Sequence, residues 1–269
     1  MTVKITKAAL NLREELADLR KPSGIAGEAL LRADSVQEQR DLIGAGRKNL
    51  LINGDNRVNQ RGFDGNWSGA AAYEYGYDRW FKNGVSKSQV IESLNFTPST
   101  TYTLSGSGIT TEQITSPASG NWYITIPFAA TNVQVEKGSV ATDFEHRSYG
   151  EELALCQRYY EVRVNSHNSM HGYYASAPSG GSFFFNTQVF SVKKRAVPSV
   201  AISTVGGYMV IAGTYGVEAG GQNTGFLTGN LNTDSFRLQK TRASGGVTPF
   251  NGGTYSWEDG LTWTADAEL

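Results

Sequence analysis

Cysteine is nearly missing from this chain: Cys156 is the only one in 269 residues. A lone thiol excludes an intrachain disulfide framework and a cysteine-rich metal site. Such a chain can fold in a reducing cytoplasm and still survive outside the cell. Charge is scarce as well, at 18% of residues with a formal net charge of −1. Gripping a phosphate backbone takes a basic face, so no nucleic-acid partner is expected. No apolar run approaches the roughly 20 residues that span a bilayer, so no membrane insertion is expected. Charges interrupt the opening stretch MTVKITKAALNLREE, which therefore does not read as a signal peptide. Catalytic motifs are missing too. There is no GxSxG, and glycine pairs such as Gly220-Gly221 lack the strand–loop–helix setting and the lysine of a phosphate loop. His167 and His171 have an i, i+4 spacing but no HExxH glutamate, and their polar context reads as a solvated loop. Glu258 and Asp259 are adjacent, whereas a glycosidase needs two carboxylates on opposing sides of a sugar, about 5–10 Å apart. No catalytic residue, metal or cofactor is assigned, and the chain is not expected to be an enzyme.

What is present is glycine, at 31 residues, with 13 tyrosines and 5 tryptophans. Short segments punctuated by Gly, Asn, Ser and Thr point to a mainly β chain with many turns. Four parts emerge. In residues 1–47, Ile5, Ala9, Leu12, Leu16 and Leu19 step by 4, 3, 4 and 3, a narrow coiled-coil seam. Two heptads are marginal alone, so this helix wants a partner, either its own domain, docked as an amphipathic helix, or its copies in a short trimeric bundle. A helical connector follows, with Ser35 and Glu38 as a capping box and Gly44 to end it. Residues 48–148 read as a small β-sandwich. Trp122, Ile124, Ile126 and Phe128 alternate with Tyr123 and Thr125, and Val133 and Val135 with Gln134 and Glu136. Residues 149–161 read as a linker helix on which Leu153, Cys156 and Tyr160 share a face. Glu151 and Glu152 lie in its dipole-favoured first turn. Cys156 is then a small buried hydrophobe rather than a nucleophile.

Residues 162–269 read as a second antiparallel sandwich. Its candidate strands are Ser182 to Val192, Val200 to Thr204, Tyr208 to Gly213, Ser235 to Arg242 and Gly253 to Thr264, separated by glycine-rich loops. Asp259-Gly260 reads as a two-residue hairpin turn that pairs Trp257 with Thr262. With that register Trp263 points into the core and Trp257 points away from it. Loops rich in Tyr, Ser, Gly and Asn suit recognition, because rigid aromatics supply contact area and small polar groups adapt. A sugar stacks its C–H face on a ring and sends its hydroxyls to Asn, Asp and backbone groups. On that ground His171, Tyr173, Tyr174, Asn223, Asn230 and Trp257 are the candidate ligand-binding residues.

The stretch Asn132 to Tyr160, NVQVEKGSVATDFEHRSYGEELALCQRYY, closely resembles a segment of many tail-fibre and related virion proteins of tailed bacteriophages. Lys48 to Gly62, KNLLINGDNRVNQRG, resembles the first strand of the small sandwich in those proteins, and Lys4 to Gly46 resembles their lead-in helix and connector. The likeness covers roughly the first 160 residues and stops there. It implies a homotrimer docked to other phage tail proteins through its N-terminal segment, with the small sandwich, jelly-roll-like in that family, as spacer or platform and the C-terminal sandwich as tip. It implies a virion protein, made in the bacterial host cytoplasm, that adheres to a glycan or outer-membrane receptor. A structural collar, decoration or connector subunit and a tail-tip polysaccharide depolymerase are the alternatives.

Overall fold

The structure is a computed structural model that describes residues 32, 49–165, 169–172, 175–176, 182–204, 209–211, 226–242, 253–257 and 261–269. The seam of Ile5, Ala9, Leu12, Leu16 and Leu19 and the capping box at Ser35 lie outside the described residues. What is described is mainly β, in antiparallel sheets.

Six strands come first: β1 (Phe81–Asn83), β2 (Ser86–Ile91), β3 (Thr101–Ser107), β4 (Glu112–Thr115), β5 (Trp122–Pro127) and β6 (Thr131–Lys137). They form two three-stranded sheets, ordered β1-β2-β5 and β4-β3-β6. Strand β5 follows its sequence pattern: Trp122, Ile124 and Ile126 are buried while Tyr123, Thr125 and Pro127 are exposed. The buried set joins Trp80, Ile91, Tyr102, Leu104, Val133 and Val135 in one core shared by both sheets, the packing of a small sandwich. Along β6 the alternation holds for side-chain type, yet Gln134 and Glu136 are buried as well. They hold the following loop: Gln134 donates to the Thr142 carbonyl at 2.8 Å, and the Thr142 N–H donates to Glu136 at 3.0 Å.

The expected first strand within Lys48 to Gly62 does not form. This segment runs beside β6 with only two backbone bonds, Leu50 N–H to the Val135 carbonyl and Val133 N–H to the Gly54 carbonyl, both 3.0 Å. Side chains take over the remaining ladder positions. Gln89 accepts from Ile52 N–H at 2.8 Å and donates to its carbonyl at 2.7 Å, and Asn49 accepts from Val135 N–H at 3.1 Å. Asn53 and Asn56 then turn the chain at φ 58° and 61°, conformations that asparagine tolerates.

Helix α1 (Tyr149–Gln157) begins as the sequence suggests, with Ser148 accepting from Glu151 N–H and Glu151 and Glu152 in its first turn. It ends at Gln157 rather than Glu161, so Tyr160 opens a strand instead of sharing the helix face. Cys156 is fully buried, and burial pushes its thiol well up, which suits an inert core residue.

Beyond it lie β7 (Tyr160–Asn165), β8 (Ser169–Gly172), β9 (Ala175–Ser176), β10 (Ser182–Val189), β11 (Ser199–Thr204), β12 (Met209–Ile211), β13 (Phe226–Gly229), β14 (Ser235–Arg242), β15 (Gly253–Trp257) and β16 (Leu261–Asp266). The sheets are ordered β11-β16-β7, β13-β14-β10-β9 and β12-β15-β8. Asp259 and Gly260 lie outside the described residues, but the pairing of Trp257 with Thr262 expected across them is overturned by these registers. Strand β15 has β12 and β8 as its neighbours, so Trp257 pairs with Met209; β16 has β11 and β7, so Trp263 pairs with Ile202 and Arg163. With both edges of each strand filled, Trp257 and Thr262 have no edge left to share. Trp263 is nonetheless fully buried, with Phe236 at 5.2 Å and Phe190 at 5.8 Å between ring centres.

Buried charges tie residues 49–137 to those that follow. Arg79 meets Glu268, and Arg147, paired with Glu152 at 3.3 Å, donates to the Asn49 and Leu51 carbonyls, while Lys194 meets Glu161 at 2.6 Å within the later region. Each charge has an opposite partner, the condition for a charge to be buried at tolerable cost.

Candidate functional site

The best-formed surface feature is built on the outer face of sheet β1-β2-β5. Residues 73–76 run antiparallel to β1. Tyr73 N–H donates to the Lys82 carbonyl at 2.9 Å, Lys82 N–H to the Glu74 carbonyl at 2.8 Å, and Tyr75 bridges Phe81. Gly76 is required here, because an added Cβ would sit 2.7 Å from the Trp67 ring and 2.9 Å from the Phe63 ring. Cross-strand partners share a face, so Tyr75 joins Phe81, Ser88 and Thr125 in one row, with Asn83, Ser86 and Pro127 beside it and Val90 and Tyr123 on the other flank. Polar groups interleave with the rings. Asn83 donates to the Ser88 hydroxyl at 3.0 Å, and that hydroxyl lies 2.7 Å from the Thr125 hydroxyl.

Two depressions flank the ridge of Tyr73 and Tyr75. One, about 410 Å³, lies among Tyr73, Tyr75, Phe81, Asn83, Tyr123 and Leu269. The other, about 660 Å³, is walled by Phe63, Tyr73, Tyr75 and Tyr160 and carries Arg61, Asp64, Glu74 and Asp266. Both fall in the size range of ligand sites, about 300–1,000 Å³. Tyr73 itself is 72% exposed and sits at φ 62°. For a bulky side chain the left-handed region costs about 1–2 kcal/mol, and no burial of this ring repays it. Tyr123 is 62% exposed across the face. Local strain on an exposed aromatic is a mark of a working surface.

Residues 266–269 close the cleft from behind. Arg61 lies 3.5 Å over the Tyr160 ring and 5.1 Å from the centre of the Tyr75 ring, while pairing with Asp266 at 3.3 Å and Glu268 at 3.4 Å. Arg79, at φ 72°, lies 3.5 Å over the Tyr159 ring, donates to the Val90 carbonyl at 2.7 Å and pairs with Glu268. The Tyr75 hydroxyl donates to the Leu269 carbonyl at 3.2 Å. Burial, and after it the Glu268 charge, pushes the Tyr75 phenol well up, so this ring is a neutral donor. Burial raises the Glu268 carboxyl too, against the pull of Arg79 and Arg61.

None of these residues is among the sequence candidates. Of those, Tyr173, Tyr174 and Asn223 lie outside the described residues. His171 pairs with Thr254 and Trp257 with Met209 in sheet β12-β15-β8. Asn230 follows β13, exposed at φ 48°, in a turn where Asn232 accepts from the N–H groups of Asp234 and Ser235. One sequence signal for the ridge existed: Tyr73, Tyr75 and Tyr77 recur at the period of a strand just ahead of Trp80 and Phe81.

Solved structures similar to this chain include recombinant discoidin II of Dictyostelium discoideum, at 15% identity and TM-score 0.25 over 64% of this chain and 67% of that one. Wild-type discoidin II of the same organism is similar at 13% identity and TM-score 0.26, over 82% and 92%. At these TM-scores neither likeness carries an argument. No protein-family model and no curated protein matches the chain.

Proposed function

We propose that the chain is an adhesion protein of a bacteriophage tail that binds a host-surface glycan on the outer face of sheet β1-β2-β5. The observation that carries the glycan reading is the strained, exposed Tyr73 standing beside Tyr75 and the exposed Tyr123, with the Asn83 amide and the Thr125 hydroxyl exposed on the same face. A pyranose stacks its C–H face on such rings and spends its hydroxyls on such groups. The phage setting rests on the segments around Asn132 to Tyr160 and Lys48 to Gly62. In that setting the chain is a homotrimer joined through Ile5, Ala9, Leu12, Leu16 and Leu19, and three copies multiply a weak site by effective concentration. Sedimentation checks this part: a stable monomer in the full chain contradicts it, and Leu12→Asp is expected to dissociate the trimer.

A depolymerase takes support from Asp64, Glu74 and Asp266 around one cleft. Asp266, however, is already paired with Arg61, and Asp64 and Glu74 are both exposed, whereas a glycosidase sets its general acid in an apolar pocket, so binding without cleavage is the reading preferred. The test is adhesion of the purified protein to host cells, run beside sizing of host lipopolysaccharide and capsule. The expected result is retention on cells with the polymer unshortened, and loss of retention in Tyr73→Ala/Tyr123→Ala. Progressive shortening overturns the binding reading in favour of the enzyme. Absence of adhesion favours the structural subunit.

A further inference from the structure

The charges around the larger cleft are not balanced, and the imbalance falls on its exposed rim. Among the described residues Arg61 is the only cationic side chain lining this cleft, and both terminal nitrogens face acids, Asp266 at 3.3 Å and Glu268 at 3.4 Å. The guanidinium is further covered by the rings of Tyr160 and Tyr75. Its charge is therefore already opposed by two carboxylates, which weakens its pull on an incoming carboxylate or phosphate. Asp64 and Glu74 are exposed at the same cleft, and no ion pair engages either among the described residues. Each is held in place by a loop N–H: Asp64 accepts from Asn66 at 2.8 Å, and Glu74 from Ala71 at 2.5 Å. The wall between them is aromatic. Low-dielectric walls concentrate the field of charges that line a cleft.

We infer that this cleft selects its glycan by charge, admitting neutral and amine-bearing sugars and rejecting uronic, sialic and phosphorylated ones, with Asp64 and Glu74 as the residues that reject. The inference rests on the glycan reading above and adds the substrate class to it. A neutral sugar gains two carboxylate acceptors for its hydroxyls. An ammonium gains the same acceptors and ring edges and faces suited to a cation. An anion meets two fixed like charges and, among the residues lining the cleft, no unpaired cation, a juxtaposition that disfavours it.

Two measurements test it. In the first, wild type and Asp64→Asn/Glu74→Gln are applied to an array of bacterial-surface oligosaccharides sorted into neutral, amine-bearing and anionic groups. Wild type is expected to favour the first two groups over the third by about tenfold or more, and the double variant to bind all three within about threefold. A wild-type preference for anionic sugars, or an unchanged preference in the double variant, overturns the inference. The second needs no glycan. Proton relaxation of the Tyr73 and Tyr75 rings is measured with a trimethylammonium-bearing nitroxide and with a carboxylate-bearing one. The cationic probe is expected to relax these rings several-fold more strongly, and the difference to vanish in the double variant. Equal relaxation in wild type overturns the inference. An array without any bound sugar, together with a clear probe difference, refutes the glycan reading and leaves the charge selectivity standing.

Discussion

Among the described side chains, residues 49–137 and residues 160–269 spend their aromatics differently. In the later region the described core rings, Phe190, Phe236 and Trp263, converge on one another at 5.2 to 5.8 Å and are buried. In the earlier one Trp80, Trp122, Phe96 and Tyr102 fill the core, and a second set remains outside it: Tyr73, Tyr75 and Tyr123. An aromatic that completes a core needs no further explanation. A ring left in solvent at a strained φ does, and on this molecule such rings cluster with polar groups beside two depressions. The surplus over what folding consumes is what marks the site.

The sharpest way to break this contrast is to exchange the roles. Trp263→Ala removes a fully buried indole and is expected to cost about 3–5 kcal/mol in urea unfolding, while the rings at Tyr73 and Tyr123 stay intact. A loss under about 1 kcal/mol would mean the later core is not closed around it. Next in size is Glu268→Ala, expected to cost about 3 kcal/mol because it strands the buried Arg79. Arg79→Met with Glu268→Leu is expected to recover most of that loss, since no unpaired charge remains buried. If the double variant is no better than the single, the pair is not the source of the effect.

A smaller effect is set by pH. Lys87 is buried, with its amine on the Ala130 carbonyl at 2.8 Å and the Asn56 side chain at 3.1 Å, and burial lowers its pKa from 10.5 to about 8. Above about pH 8 the folded chain sheds this proton while the unfolded chain keeps it, so stability rises with pH. The gain is opposed from about pH 9, the ordinary thiol value, because burial holds the folded Cys156 protonated while the unfolded chain ionises it. Near pH 10 the buried phenols of Tyr75, Tyr159 and Tyr160 add to this loss, since only the unfolded chain ionises them there. Urea midpoints are therefore expected to climb from pH 8 to about 9 and to fall beyond pH 10. In Lys87→Met the climb is expected to shrink to the part supplied by Lys194, whose pKa burial also lowers. A wild-type midpoint flat or falling across that window contradicts the burial of a neutral amine.

Legibility from the sequence follows the same division. Strands β5 and β14 were readable because one face of each is apolar and the other polar, as Trp122 to Pro127 shows. The start of helix α1 was readable because Glu151 and Glu152 mark its first turn locally. The stretch from Lys48 to Gly62 was not, because Asn49, Gln89 and Asn53 replace backbone ladder bonds with side-chain ones, and that exchange depends on residues far apart in the chain. Asp259-Gly260 misled because turn chemistry says nothing of competing neighbours: β8 and β12 claim one flanking strand, β7 and β11 the other. The buried Arg79, Lys87 and Lys194 carry no sequence sign of burial. The aromatic face escaped for a related reason. Tyr73, Phe81, Ser88 and Tyr123 come from separate segments, and the register that aligns them appears only once the sheet is assembled.

The most direct test of the central claim is a single substitution read two ways. Tyr73→Gly relieves the left-handed backbone while giving glycine its entropy in the unfolded chain, so the net is a gain of about 0.5–1 kcal/mol. The account predicts that this variant unfolds at higher urea than wild type and yet loses most of its adhesion to host cells. A variant that is more stable and adheres as well as wild type would show that the ring has no part in binding, and would contradict the assignment of this face.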